Sequence, residues 1–185
     1  LAQKRLGGGR IHHAMRCIGQ ADRALEMMCE RAVSRDTQGR PLAKHQLVQE
    51  LIAESGAELE MARLLVLRAA WRMDQEGDYS REALREIAMV KFVVPRTLLA
   101  IVDRAIQVHG ALGYTTDMPL EEMYRVARAL RIADGADEVH KQTVARELTR
   151  GMAAVAEPSE YVPARRRRAE ELFGERVRQI RATVS

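Results

Sequence analysis

Residues 47–73, LVQELIAESGAELEMARLLVLRAAWRM, contain the pattern that decides the fold class. Apolar or small side chains recur along this stretch at spacings of three and four residues. They are Leu47, Leu51, Ser55, Leu59, Ala62, Val66, Ala69 and Met73. This spacing is typical of one face of an α-helix that is buried against a partner. Gly77 and Asp78 follow as breaking residues, so we predict a long amphipathic helix that ends there.

The rest of the chain shows the same helical period, interrupted by short turns. A first helix begins at Arg10, after a flexible entry at Gly7-Gly8-Gly9, and its apolar residues are Ile11, Met15, Ile18, Leu25, Met28 and Ala32. It ends in a turn rich in breaking residues at 36–41. The further predicted helices cover 81–108, with a kink or local break at Pro95, then 119–130, 137–152 and 165–181.

The composition supports a helical protein. The chain is 46% hydrophobic but only 4% aromatic, and its 185 residues suffice for one sizeable domain. Long helices of this kind bury their apolar faces only against one another. We therefore predict an all-α fold, an antiparallel up-down helical bundle over residues 1–155. The second predicted part, residues 156–185, consists of a linker around 157–159 and a basic C-terminal helix.

The positive net charge of +4 is a property of the C-terminal segment. Residues 161–185 carry seven Arg and three Glu, and the remainder of the chain is balanced. The run 165–168, four arginines, could contact nucleic acid or anionic lipid. No stacking aromatic residues accompany it, so the favoured interpretation is a solvated helix start, with no nucleic acid and no membrane as partner.

Cellular location is suggested by what the sequence lacks. No targeting segment and no apolar run of 18 residues is present. Cys17 and Cys29 are twelve residues apart in one predicted helix, about 18 Å at 1.5 Å per residue, which is too far for a disulfide. We expect a cytoplasmic, reducing location.

Motifs for common chemistries are absent from the sequence. It contains no Walker loop, no GxSxG motif and no zinc signature. His12 and His13 are adjacent and point about 100° apart on a helix, which is a poor metal pair. His109 and His140 are isolated, so structural or surface roles are favoured for both. We predict no metal site.

Four segments in register resemble one known family. They are RIHH at 10–13, RDTQGRPL at 35–42, QVHGALGY at 107–114 and IADGADEV at 132–139. The segment at 35–42 resembles an Arg-x-Thr-x-Gly-x-x-Leu turn, and the segment at 107–114 resembles a Gln-x-x-Gly-Gly-x-Gly loop. The last lies where the family has its catalytic segment. Over about residues 1–150 the chain resembles the C-terminal helical domain of the acyl-CoA dehydrogenases, which are FAD-dependent flavoenzymes.

The resemblance implies a role for the last of these segments. Asp134 is implied as the base that removes the α proton of an acyl-CoA thioester, although the family usually has Glu there. Gly135 and Arg10 would contact the substrate. In some members the base precedes the first-helix Arg, but that position is Gly9 here. Asp134 as a simple helix cap is the alternative role, and a nitroalkane-oxidase-like flavoenzyme, which also uses Asp, is the alternative function.

The resemblance also implies a cofactor and partners. The residues expected to contact FAD are Arg35, Thr37, Gln38, Gln107, Ala111, Ala136 and Glu138. Four of them depart from the family pattern: Gln38 replaces Phe, Ala111 replaces Gly, and Ala136 and Glu138 replace Thr and Gln. Family members add an N-terminal helical domain and a β-domain, form homodimers or homotetramers, and pass electrons to an electron-transfer flavoprotein. The isolated chain could instead serve as a non-catalytic oligomerisation bundle.

Overall fold

The computed structural model describes residues 2–77, 80–153 and 161–184, and these residues form six α-helices and one small hairpin. The predicted linker at 157–159 lies outside the described residues. The helices are α1 (Ala2–Ser34), α2 (Gln46–Glu76), α3 (Arg81–His109), α4 (Leu120–Leu130), α5 (Asp137–Thr149) and α6 (Tyr161–Val184). Strands β1 (Asp36–Thr37) and β2 (Arg40–Pro41) pair between α1 and α2.

Helix α3 is the centre of the first compact unit, Leu1–Thr149. It contacts α1, α2, α4 and α5, and its buried side chains include Val94, Leu98 and Ile101. The predicted buried face of α2 is confirmed over its middle, at Ser55, Leu59, Ala62, Val66 and Ala69, whereas Leu47 at its start is exposed. The helices therefore bury their apolar faces on one another, as the sequence pattern indicates.

Charged pairs show the relative direction of α2 and α3. Arg104 late in α3 binds Glu58 early in α2 through two hydrogen bonds of 2.7 and 2.9 Å. At the other end, Nε of Arg72 donates to Glu86 at 3.0 Å. Early residues of one helix thus lie beside late residues of the other. The predicted all-α antiparallel bundle is confirmed.

Two local predictions are wrong. Residues 7–9 do not form a flexible entry, because α1 already begins at Ala2 and runs through all three glycines. Glycine permits a break without forcing one, and none of these three has a positive φ. Of the two outcomes predicted at Pro95, a kink or a local break, the break is wrong, since α3 continues to His109. Proline removes one backbone donor, and the surrounding helix is held by its buried packing.

The turn rich in breaking residues after α1 is a β-hairpin with a two-residue loop. Asp36 pairs with Pro41 and Thr37 pairs with Arg40. The two loop residues both have positive φ, 52° at Gln38 and 77° at Gly39, as a type I′ turn requires. The hairpin and the 3-10 turn Leu42–Lys44 lead directly into α2.

The second compact unit, Arg150–Ser185, contains α6. This helix carries the seven arginines of the C-terminal segment and exposes the apolar residues Leu172, Phe173, Val177 and Ile180. Among the helices that the structure describes, none combines the length and apolar character needed to span a membrane.

Candidate functional site

The loop between α4 and α5 has an unusual backbone. Asp134 has a φ of 56°, one of two positive values at non-glycine positions among the described residues, and Gly135 has a φ of 105°. The loop is closed where the N–H of Asp137 donates to the carbonyl of Arg131 at 3.2 Å. Nε of Arg131 also donates to the buried carboxylate of Asp137 at 2.8 Å. Bonds between Arg131 and Asp137, at the two ends of the loop, therefore hold the backbone in which Asp134 has its strained conformation.

Three side chains from three helices hold the backbone of this loop. Nη2 of Arg10, from α1, donates to the carbonyl of Asp134 at 3.3 Å. Nε2 of His140, from α5, donates to the same carbonyl at 3.4 Å. Nζ of Lys91, from α3, donates to the carbonyls of Leu130 at 2.7 Å and Gly135 at 3.5 Å. We call Arg10, Lys91 and His140 the loop cradle.

The loop cradle lies in a poorly solvated environment. Lys91 and His140 are 3% and 4% exposed. Burial lowers the pKa of Lys91, and the nearby carboxylates of Asp134 and Asp137 oppose that shift. Burial also lowers the pKa of His140, and the Arg10 guanidinium adds to the effect. The pKa of Arg10 is lowered by burial, and Asp134 opposes that shift. The hydrogen bonds from these three side chains to carbonyl oxygens are strengthened because little water solvates the groups there.

The carboxylate of Asp134 is accessible although its backbone is fixed. Its side chain is 32% exposed, and Oδ2 lies 3.2 Å from Nε2 of His13. A small cavity of about 10 Å³ is lined by Arg10, His13, Ala14, Cys17, Val90, Lys91, Pro95 and Leu130. An accessible carboxylate on a fixed backbone can accept a proton from a bound molecule.

Gly135 is required at its position for two reasons. Its φ of 105° is unfavourable for any residue with a Cβ. A Cβ added there would also lie 2.8 Å from Nε2 of His140. The lack of a Cβ at Gly135 leaves room for the imidazole of His140 beside the Asp134 carbonyl.

The hairpin residues lie far from Asp134 within one chain. Arg35, Thr37 and Gln38 are exposed, just beyond the C-terminal end of α1. Arg10, which contacts Asp134, is 24 residues before Ser34 in the same helix, or about 36 Å at 1.5 Å per residue. The structure therefore does not bring the hairpin and Asp134 together in one chain.

The remaining expected cofactor residues divide between two places. Gln107 lies at the C-terminal end of α3, about 24 Å along that helix from Lys91, and Ala111 lies exposed in the 3-10 turn Gly110–Tyr114 that follows. The positive φ in this segment falls on Gly110, at 69°, so Ala111 does not occupy a position that requires glycine. Ala136, half-buried, and Glu138, exposed, directly follow the Asp134 loop at the start of α5.

Sequence reasoning missed three members of this site. Lys91 is a single lysine within the apolar run MVKFVVP, a signal for a buried cation with a specific partner. His13 follows Arg10 by three residues, so both lie on one helix face. His140 was assigned a structural or surface role and is buried against the loop. Within the described ranges, no three His, Cys, Asp or Glu side chains cluster as metal ligands.

Comparison with known proteins places this chain in a family. A family model described as "Acyl-CoA dehydrogenase, C-terminal domain" matches residues 1–149. The protein named "Probable acyl-CoA dehydrogenase FadE2" of Mycobacterium tuberculosis is 52% identical over 151 residues, 81% of this chain and 37% of that protein. "Acyl-CoA dehydrogenase family member 11" of Gallus gallus is 51% identical over 146 residues, 79% of this chain and 18% of that protein.

A solved structure gives the same result for the fold. The "Structure of a putative acyl-CoA dehydrogenase from Mycobacterium abscessus" superposes with a TM-score of 0.78 and 45% sequence identity. The match covers 82% of this chain and 37% of that chain. The chain thus spans well under half the length of these relatives.

Proposed function

The chain belongs to the acyl-CoA dehydrogenase family through its C-terminal domain, and from that premise we propose that it supplies the base of an FAD-dependent acyl-CoA dehydrogenase. The base is Asp134. The observation that carries this proposal is an accessible carboxylate on a loop that side chains from three helices hold in place. The rest of the active site is contributed by segments that the longer relatives have beyond this chain.

The reaction needs a base placed to within a fraction of an ångström. Removal of the α proton of a thioester requires a carboxylate oxygen directed at the α carbon, and misplacement by about 1 Å can reduce the rate about 100-fold. Asp134 reaches a shorter distance than Glu, so the loop backbone must deliver it closer to the substrate. The loop cradle serves this purpose by fixing the carbonyls of Asp134 and Gly135.

Activation of the α proton requires hydrogen-bond donors to the thioester carbonyl. We assign one of these donors to the backbone N–H of Asp134. The Asp134 carbonyl is directed towards Arg10 and His140, which limits rotation of the peptide that follows the base. Gly135 allows the substrate to approach this backbone because it has no side chain.

FAD supplies a hydride acceptor for the β carbon when it is bound. On this chain, Arg35 and Thr37 suit a diphosphate, because a guanidinium fork and a hydroxyl, both exposed on a short hairpin, can donate to phosphate oxygens. The hairpin lies about 36 Å along α1 from Arg10, and we propose, as the family resemblance implies, that these residues serve the FAD of a neighbouring subunit. We assign Gln38, Gln107 and Ala111 to the same neighbouring site, and Ala136 and Glu138 to the site beside Asp134.

A homodimer or homotetramer therefore accompanies the proposed function. The outer face of α2 supports this part of the proposal. Met61, Leu64 and Trp71 recur there at helical spacing and are 64%, 64% and 58% exposed, on the side opposite to the buried face. A row of large apolar side chains of this kind is typical of a protein interface. By family membership, acyl-CoA is the proposed substrate and an electron-transfer flavoprotein is the proposed electron acceptor.

The experiment that tests the base uses the whole enzyme that contains this chain. In Asp134→Asn the side chain keeps its size but loses the basic oxygen. We expect flavin reduction by acyl-CoA to fall about 10²–10⁴-fold while the flavin absorbance of the purified enzyme persists. Asp74→Asn, at an exposed position late in α2, is the matched control. A wild-type rate of flavin reduction in Asp134→Asn would remove Asp134 from the role of base.

A second variant tests the geometry of the base. Asp134→Glu restores the residue that is common in the family but extends the carboxylate by about 1.5 Å. If the loop is built for the shorter acid, this variant should also reduce its flavin more slowly than the wild type.

A further inference from the structure

His13 contacts the carboxylate of the proposed site. Nε2 of His13 lies 3.2 Å from Oδ2 of Asp134, and the two side chains are 37% and 32% exposed. His13 follows Arg10 by three residues on α1, so one helix face presents one residue to the Asp134 backbone and one to its carboxylate. We propose that His13 is the positioning residue of the base: its N–H holds one carboxylate oxygen so that the other faces the substrate.

This inference rests on the proposed role of Asp134, and it completes the set of constraints on that residue. The loop cradle fixes the backbone carbonyl of Asp134, but it leaves the two side-chain torsions free. A carboxylate attached to a fixed backbone can still rotate between staggered positions. The contact of His13 Nε2 with Oδ2, at 3.2 Å, selects one of these positions, and Oδ1 is left as the proton acceptor.

The charged groups around His13 and Asp134 differ in which atoms of the loop they contact. Arg10 on α1, Lys91 on α3 and His140 on α5 all face the loop, and Asp137 opposes them while it binds Arg131. Of these groups, Arg10, Lys91 and His140 donate to carbonyl oxygens of the loop. His13 contacts the carboxylate itself, with Nε2 3.2 Å from Oδ2 of Asp134.

The exposure of His13 allows a role in positioning Asp134 to be distinguished from a role in the stability of the fold. Its side chain is more than a third exposed, so it adds little to the buried core. Exposed pairs of this kind contribute little to the stability of a fold. Loss of the imidazole should therefore affect the reaction much more than the folded state. His12, the adjacent and exposed histidine, points about 100° away on the helix and provides a matched control.

The test compares His13→Leu, His13→Gln, His12→Leu and Asp134→Asn in the whole enzyme. Flavin reduction is measured at saturating acyl-CoA, with ordinary and α-deuterated substrate. In His13→Leu we expect the rate to fall about tenfold, as loss of one hydrogen bond to a charged group implies. The deuterium isotope effect should rise, because proton abstraction becomes more rate-limiting. His13→Gln keeps an N–H donor near the original Nε2 position and should recover most of the rate. His12→Leu should match the wild type.

Each outcome separates this inference from the proposed function. A wild-type rate and isotope effect in His13→Leu, together with a collapse in Asp134→Asn, would overturn only the role of His13. Rates as low in His13→Gln as in His13→Leu would also overturn it, because the donor would not be what matters. A wild-type rate in Asp134→Asn would instead overturn the base.

A measurement independent of activity covers the case in which His13→Leu does not fold. The ¹⁵N resonance of His13 Nε2 should shift in Asp134→Asn, and that of His12 should not. An unchanged His13 resonance would show that the contact is not formed, and the inference would fail.

Discussion

The ammonium nitrogen of Lys91 lies 2.7 Å from the carbonyl oxygen of Leu130. This bond joins the central helix α3 to the C-terminal end of α4, where the loop of Asp134 begins. The same nitrogen reaches the carbonyl of Gly135 at 3.5 Å, on the far side of the base. One buried cation thus connects both sides of the loop to the core of the bundle.

Lys91→Met should destabilise the folded chain. Methionine fills a similar volume but leaves the carbonyls of Leu130 and Gly135 without this donor. The cost of such unpaired buried groups is about 1–3 kcal/mol in the free energy of unfolding. Urea denaturation measures it, with Lys44→Met, at an exposed position, as the control. Equal stability of the two variants would contradict a structural role for the ammonium group.

Because Lys91 is buried, we also predict that the free energy of unfolding depends on pH in the alkaline range. Its pKa in the folded state is lowered by burial, from 10.5 in the unfolded chain. Between the lowered value and 10.5 the unfolded state binds more protons than the folded state, so stability rises with pH in that window. The difference in unfolding free energy between the wild type and Lys91→Met should therefore increase as the pH approaches 10.5. A constant difference would show that Lys91 titrates normally.

His140 should make the fold sensitive to acid. Its pKa is lowered by burial and by Arg10, from 6.5 in the unfolded chain. The unfolded state therefore binds more protons just below pH 6.5, and stability is lost as the pH falls from 6.5 through the folded-state pKa. In His140→Gln this loss should shrink, whereas His12→Gln should retain it. Thermal denaturation at several pH values from about 7 to about 5 measures the effect.

Two glycines should respond in opposite directions to alanine. Gly135→Ala places a Cβ at a φ of 105° and 2.8 Å from Nε2 of His140, so it should lower the free energy of unfolding by about 1–3 kcal/mol. Gly56→Ala, within α2, meets no atom within 4 Å and should raise it by about 0.5–1 kcal/mol. Denaturant unfolding of the two variants provides the measurement. A stabilising Gly135→Ala would exclude the strained loop.

Arg35→Ala should weaken FAD binding in the whole enzyme. The side chain is exposed at the hairpin, and loss of one charge-assisted contact to phosphate should raise the dissociation constant about tenfold or more. Arg16→Ala, at an exposed position in the middle of α1, is the control. Titration of the apoenzyme with FAD, followed by flavin fluorescence, measures both. Unchanged affinity in Arg35→Ala would remove the hairpin from the cofactor site.

Local sequence predicted the elements of the fold because their causes are local. Helix α2 follows from the recurrence of Leu59, Ala62 and Val66, and it ends at Gly77 as expected. Local patterns were less informative where glycine or proline permits more than one outcome. Residues 7–9 and Pro95 are helical because the flanking residues continue the helix. The presence of glycine or proline alone does not predict this outcome.

The candidate site was predicted only in part. Its segment and the pair Asp134 and Arg10 follow from motifs in register, and the structure brings those two residues together. Lys91, His13 and His140 were not predicted as members, because each is distant from Asp134 in sequence or occurs in no recognised pattern. Their distances to the loop depend on how α1, α3 and α5 pack.

By itself, the sequence determined a helical bundle, most of its helix boundaries to within a few residues, and the short segment that carries Asp134. The helices follow from hydrophobic period and turn chemistry, which act over a few residues, and the segment of Asp134 follows from its resemblance to a family motif. Only the tertiary structure decided that Arg10, Lys91 and His140 hold one loop, and that His13 lies against the carboxylate of Asp134. The physical reason is that buried polar groups must find partners wherever packing places them, and those partners come from helices far apart in the chain.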